Sequence, residues 1–168
     1  SYVYIKIEVS AMSAHESFKL TKNGYTYSSK TLSGNSNMTL YSGSLSSGEY
    51  ELTYIGNYKA NLFASRRTFT YKYRFEVDKT DPSYTLKAGG STISSGSYTN
   101  KQIVYTASDT NFDAIRYKKP TSSSYSTTYS TSYTVAATDA NNGKWYFYAR
   151  DDMDNTSTTV NVYLDTVK

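Results

Sequence analysis

The sequence predicts an all-β protein built from two tandem β-sandwiches, and three observations predict it. The first is composition. Of 168 residues, 20 are Tyr and 6 Phe, among many Ser and Thr, with 9 Gly and only 2 Pro. Tyr and Thr suit half-buried pleated strands, whereas Ser, Gly and Asn suit turns. The second is periodicity: apolar residues recur at every second position, and no long run carries them at helical spacing. The third is a repeated ending. Phe75-Glu76-Val77-Asp78-Lys79-Thr80-Asp81-Pro82 returns in part as Val162-Tyr163-Leu164-Asp165-Thr166-Val167-Lys168, with Asp165 placed 87 residues after Asp78 (165 − 78). That offset is about the length of one small sandwich, and recurrence at a fixed period signals tandem units. The expected division is 1–80 and 81–168.

Taken in order, Tyr2 to Ser10 alternates strictly. Val3, Ile5, Ile7 and Val9 face one way and Tyr4, Lys6 and Glu8 the other, as in a half-buried antiparallel strand. Phe18–Thr21 is the next strand, with His15 in the loop before it. Asn23-Gly24 is a two-residue hairpin signal, because both residues tolerate positive φ; Tyr25 and Tyr27 lie on the return strand. Met38–Tyr41 follows a Ser/Gly/Asn loop. Gly48–Tyr54 places Tyr50, Leu52 and Tyr54 inward, and a long loop runs from Gly56 to about Arg67. Phe69–Val77 then places Phe69, Tyr71, Tyr73, Phe75 and Val77 inward, with Thr70, Lys72, Arg74 and Glu76 outward.

After Pro82 the pattern restarts. Tyr84–Leu86 is a short strand ended by Gly89-Gly90. Gln102–Ala107 turns Ile103, Tyr105 and Ala107 inward, and Ala114–Lys118 sets Ile115 and Tyr117 opposite Arg116 and Lys118. Pro120–Ser132 is a ragged edge strand anchored by Tyr125 and Tyr129. Tyr133–Ala136 leads to Asn142-Gly143, and Lys144–Arg150 places Trp145, Phe147 and Ala149 inward. Asp151–Asn155 is a turn, and Val160, Val162 and Leu164 finish the core. The first unit opens in mid-strand at Ser1-Tyr2-Val3, with no signal peptide, and is expected to be a fragment lacking its opening strand.

Composition also excludes. With no Cys there is no disulfide scaffold, thiolate metal site or Cys nucleophile. No stretch approaches the roughly 18 apolar residues of a membrane span. Net charge is +4: residues 1–80 carry 10 Lys and Arg against 6 Asp and Glu, and residues 81–168 carry 8 against 8. The surplus has no dense basic run, so no nucleic-acid partner is expected.

The Gly-x-aromatic-x-apolar pattern (Gly48 to Leu52, Gly143 to Phe147), the turn Asp151-Asp152-Met153-Asp154-Asn155 and the strand ending Asp78-Lys79-Thr80-Asp81-Pro82 resemble the bacterial immunoglobulin-like domains of tandem-repeat cell-surface proteins. The resemblance covers nearly the whole chain, as two copies. It departs from the pattern where the Asp-rich turn lacks its small Gly and where the first copy has Ile55-Gly56-Asn57 with no Asp. It implies two tandem immunoglobulin-like β-sandwiches joined by a stiff Pro-containing junction. It implies a secreted, extracellular location at the cell surface or cell wall, and a structural, non-catalytic stalk or adhesion role. The partners it implies are neighbouring domains of the same chain, and a host or matrix protein or a glycan. The alternative is a carbohydrate-binding accessory module of a larger secreted enzyme; a fibre or tail component is a third.

Catalysis is not expected. A serine triad needs a His, and the one His, His15, sits beside Glu16. No cofactor is expected either. Among metals Ca2+ is the candidate, because hard oxygen ligands suit it: Asp151, Asp152 and Asp154 crowd one turn, and Asp109 and Asp113 another. An internal Lys–Asn isopeptide bond is a further option, with no pair marked. For ligand binding, the immunoglobulin-like arrangement puts the third, sixth and seventh strands in one sheet. Tyr146, Tyr148 and Tyr163 then point outward on neighbouring strands, flanked by Arg116 and Lys118. Tyr suits sugars and proteins alike; the same residues also stabilise cross-strand pairs on a solvated sheet. Leu62 and Phe63, in the long loop, either pack on their own sandwich or meet a partner.

Overall fold

The computed structural model describes residues 2–8 and 13–167, with the backbone alone for Tyr2. The expected inward Val9, the strand end at Ser10, the opening Ser1 and the final Lys168 lie outside the described residues. The chain divides into two compact units, Ser1–Asp78 and Lys79–Lys168. Both are all-β: among the described residues there are 15 strands and one short 3-10 turn, Asp139–Asn141. Among the described residues no helix is long and apolar enough to cross a membrane.

The first unit holds β1 (Tyr2–Ile7), β2 (Ser13–Lys22), β3 (Tyr25–Thr31), β4 (Met38–Ser44), β5 (Gly48–Tyr58) and β6 (Arg67–Val77). They form a two-stranded sheet, β1-β4, and a four-stranded sheet, β3-β2-β5-β6. The hairpin between β2 and β3 turns on Asn23 (φ 48°) and Gly24 (φ 82°), with Lys22 opposite Tyr25. Both residues are left-handed, as the tight hairpin twist demands. The core is Phe18, Leu20, Leu40, Leu45, Tyr50, Leu52 and Tyr54, with Val3, Ile5 and Ile7 packed against it.

Three expectations are corrected here. His15 is on β2 rather than in a loop, and it is buried. The strand extends that far because both ring nitrogens find partners: Nδ1 lies 2.9 Å from the Tyr54 hydroxyl, and Nε2 lies 2.6 Å from the Ser36 carbonyl. A carbonyl only accepts, so Nε2 carries the proton, and in the neutral ring Nδ1 accepts from Tyr54. Next, β5 runs on through Ile55-Gly56-Asn57 to Tyr58, so the loop is only 59–66. Gly56 permits this. A Cβ there would meet the Tyr54 hydroxyl at 2.7 Å and the Phe69 ring at 2.8 Å. Last, Tyr71 and Tyr73 have the inward parity expected of them, yet each is 54% exposed. They sit on an edge strand, and among the described residues the facing sheet has two strands.

The second unit holds β7 (Ser83–Ala88), β8 (Ser91–Thr92), β9 (Ser97–Thr99), β10 (Ile103–Ser108), β11 (Phe112–Lys118), β12 (Ser126–Thr128), β13 (Ser132–Val135), β14 (Gly143–Asp151) and β15 (Val160–Leu164). One sheet runs β13-β10-β7-β8 and the other β12-β11-β14-β15-β9. Pairing is antiparallel except for β9, which runs parallel to β15. Gly89 and Gly90, both left-handed, turn the chain from β7 into β8 instead of merely ending a strand. Between the sheets lie Leu86, Ile103, Tyr105, Ala107, Ile115, Val135, Trp145, Phe147, Ala149, Val160, Val162 and Leu164. A register shift between Phe112 and Ala114 lets both Ala114 and Ile115 be buried, which strict alternation forbids.

The final hairpins of the two units share one register. In the first, Gly48, Glu49 and Tyr50 face Val77, Glu76 and Phe75. In the second, Gly143, Lys144 and Trp145 face Leu164, Tyr163 and Val162. Likewise β1 pairs with β4 as β10 pairs with β13.

Candidate functional site

The outward side of the five-stranded sheet carries the densest set of aromatic and cationic side chains in the second unit. Strands β11, β14 and β15 are adjacent, so Arg116 lies opposite Tyr148, Lys118 opposite Tyr146, and Lys144 opposite Tyr163. Period-two alternation sends the core residues Trp145, Phe147, Val160 and Val162 to the other side. Tyr146, Tyr148 and Tyr163 are half-buried, neither core nor fully open.

Lysines lie across these rings. Lys118 Nζ is 4.3 Å from the centre of Tyr146. Lys144 Nζ is 5.0 Å from Tyr146 and 5.0 Å from Tyr163. Ammonium groups at this range are held by the ring quadrupole. The hydroxyls of Tyr163 and then Tyr146 also accept hydrogen bonds from Lys144, which push its ammonium above the usual lysine range. At one end Tyr125 meets Tyr148 edge-on, 5.0 Å between centres, and its hydroxyl is pushed up by burial first and by Tyr148 and Tyr146 next. At the other end Tyr98 stacks on Tyr163, 4.5 Å between centres and 9° between planes.

Tyr98, Tyr125 and Lys144 therefore belong to this face, although sequence reasoning assigned none of them to it. Tyr98 lies in a three-residue strand, too short for a period-two pattern to show. Lys144 was legible as the outward neighbour of Trp145. Arg116 donates to Thr127 Oγ1, and its buried Nε has no hydrogen-bond partner. What the face can do chemically is stack a flat group. The most open ring is Tyr98, 75% exposed, whereas Lys144 and Tyr98 already lie against Tyr163 and two lysines flank Tyr146.

Leu62 and Phe63 do not pack on their own sandwich. In the 59–66 loop they are 77% and 98% exposed. The Phe63 N–H donates to Asn61 Oδ1 at 3.0 Å, which holds the tip in a local turn. Leu62 lines a cleft of about 440 Å3 with Lys59, Arg66, Ala14 and Asn35. A larger groove of about 670 Å3 crosses the outward side of β2, β5 and β6, lined by Lys19, Glu49, Glu51, Arg74 and Glu76. Its charges are mixed in sign, and Glu51 is bound by Arg74 at 2.7 Å and Lys72 at 3.3 Å.

The acidic turn does not converge on a metal. Asp151 is buried and faces its own turn: Oδ1 accepts from the Met153 and Asn155 N–H groups at 2.9 and 2.8 Å, and Oδ2 accepts from the Asn155 amide at 2.7 Å. Asp152 and Asp154 are exposed, and Asp154 lies 3.5 Å from Arg150. Asp113 is taken by Arg150, and Asp109 accepts from the Asn111 N–H. The structure instead brings the Asp109 and Asp151 carboxylates within 4.8 Å of each other, a pairing across loops that spacing along the chain does not reveal.

No protein-family model matches the sequence, and no curated protein matches it. Among solved structures, the chain is similar to Clostridium thermocellum CbhA fibronectin(III)-like modules, with 17% identity and a TM-score of 0.41. The similarity covers 98% of this chain and 86% of that one.

Proposed function

We propose that the chain is a non-catalytic stalk or adhesion segment of a bacterial cell-surface protein, composed of two tandem immunoglobulin-like sandwiches and acting outside the cell. The observation that carries this reading is the shared register of the two final hairpins, Gly48 on Val77 and Gly143 on Leu164. One module used twice is the economy of spacer arrays, in which each unit supplies its own core and length comes from repetition. Its partners are further modules of the same kind. The one His serves the core through Tyr54 and Ser36, which supports a non-catalytic role. No cofactor is part of the proposal. Adding Ca2+ is expected to leave the thermal midpoint unchanged, and a rise that Asp109→Asn abolishes would make the Asp109–Asp151 pair a Ca2+ ligand.

The second reading is a carbohydrate-binding accessory module of a secreted enzyme. The Tyr98–Tyr163 stack favours it, because Tyr98 covers one face of Tyr163 and, being 75% exposed, keeps its own outer face for a sugar ring to stack on. A glycan array with the intact chain and its Tyr163→Ala variant separates the two. The stalk reading expects a blank array for both. Specific binding by the parent that the variant loses would replace it with the sugar-binding reading.

A further inference from the structure

On the outward side of the five-stranded sheet, rings and ammonium groups alternate in a row. Tyr125 meets Lys118, whose Nζ lies 5.5 Å from the centre of that ring and 4.3 Å from the centre of Tyr146. Lys144 follows, 5.0 Å from Tyr146 and 5.0 Å from Tyr163, and Tyr98 closes the row against Tyr163. The row crosses the sheet, from the residue before β12 to β9, instead of following one strand. At roughly 4.8 Å per strand step it is about 19 Å long. All of it lies between residues 98 and 163, inside the second unit.

The cations of this row have no acidic counterpart. Among the described residues neither Lys118 nor Lys144 comes within salt-bridge range of a carboxylate, nor does Arg116 beside them. The neighbouring acids sit at the two ends and are engaged there. Asp113 and Asp154 lie against Arg150. Asp165, two residues past Tyr163, accepts from the Val167 N–H at 3.2 Å. In the first unit, by contrast, Lys72 and Arg74 are both held by Glu51. Rings hold the two ammonium groups in place without neutralising them. An anion can therefore bind Lys118 and Lys144 through charge-assisted hydrogen bonds without breaking an ion pair.

The complement of this row is a polymer. It has to extend along the row, set an apolar ring face on Tyr98, which is 75% exposed, and bring anions to the lysines. We propose that this face of the second unit binds an acidic glycan, a chain of sugar rings bearing carboxylates. One ring lies on Tyr98, and carboxylates meet Lys144 and Lys118. The inference rests on the sugar-binding reading and names the class of sugar.

Octamers of galacturonate and of hyaluronan, each beside its carboxyl methyl ester, test it by isothermal titration of the intact chain. The ester keeps the rings and removes the charge. The acid form of at least one is expected to bind at least about fivefold tighter than its ester, an advantage that about 1 M NaCl largely removes. Lys118→Gln with Lys144→Gln is expected to abolish the difference. Tyr98→Ala should weaken acid and ester alike, and Lys87→Gln, exposed on the other sheet, should change neither. The comparison of acid with ester on the parent chain needs no variant to fold. Equal binding of acid and ester would leave the sugar-binding reading standing and overturn the acidic class. Binding to neither form overturns the inference, while a neutral sugar found on the glycan array would still keep the sugar-binding reading. Oligothymidylate or polyglutamate bound as tightly as the acidic glycans also overturns it, because charge alone would then suffice.

Discussion

β6 and β15 are the same strand in two settings. Each pairs along one side with a strand that opens on Gly, in one register, and each carries its apolar residues on the same parity. In the second unit those residues, Val160, Val162 and Leu164, are sealed. In the first, Phe75 and Val77 are half-buried and Tyr71 and Tyr73 lie largely open. The difference teaches that alternation decides which way a side chain points, while the neighbouring strand decides whether it is covered. Residue type follows: Tyr keeps a polar tip that tolerates partial exposure, and the sealed positions are Val and Leu.

Core truncation should separate the units most. Phe147 is fully buried and stacks on Tyr105, 5.3 Å between centres. Phe147→Ala is expected to cost about 3–5 kcal/mol in urea unfolding, and Tyr73→Ala less than about 1 kcal/mol. Equal costs would erase the contrast. The turns come next. Asp151→Ala strands two part-buried turn N–H groups and the Asn155 amide, at about 2–3 kcal/mol. In the first unit Asn61→Ala removes one exposed acceptor, from Phe63, and should stay within about 0.5 kcal/mol.

Alkali offers a third contrast. Burial pushes the Tyr105 hydroxyl up to about 12, against the opposing hydrogen bond from Ser157. A raised folded value means the folded state holds its proton longer. That stability is complete below the ordinary tyrosine value near 10 and is lost as pH rises from there towards 12. The loss is at most about 2–3 kcal/mol, and Tyr105→Phe should flatten it. Smallest is the acid limb of the first unit. Arg74 first, and Lys72 next, hold the Glu51 carboxyl below its ordinary 4.5. A lowered folded value means stability present above 4.5 and lost as pH falls below it. Glu51→Gln should remove that small slope between pH 7 and pH 3 in thermal unfolding, with little change at pH 7.

Most strands were legible, because Asn23-Gly24 and the runs 48–54 and 144–150 carry period and turn signal together. What escaped has physical causes. His15 extends β2 through partners 39 and 21 residues away, which no local pattern encodes. Tyr71 and Tyr73 obey the alternation, so their exposure depends on what faces them. The Tyr146, Tyr148 and Tyr163 face could be drawn from parity, but the Tyr98 stack needed β9 to run parallel beside β15. The Asp109–Asp151 approach is likewise a matter of loops meeting in space.

Native-state hydrogen exchange on the intact chain tests the central comparison most directly. Each closing strand is read against its own hairpin partner, so that unequal stability of the units cancels. The account predicts that amides of Val162–Leu164, paired on both sides, exchange as slowly as those of Gly143–Asp151. Alternate amides of Arg67–Val77 should exchange far faster than those of Gly48–Tyr58. Equal protection of β6 and β5 would contradict it.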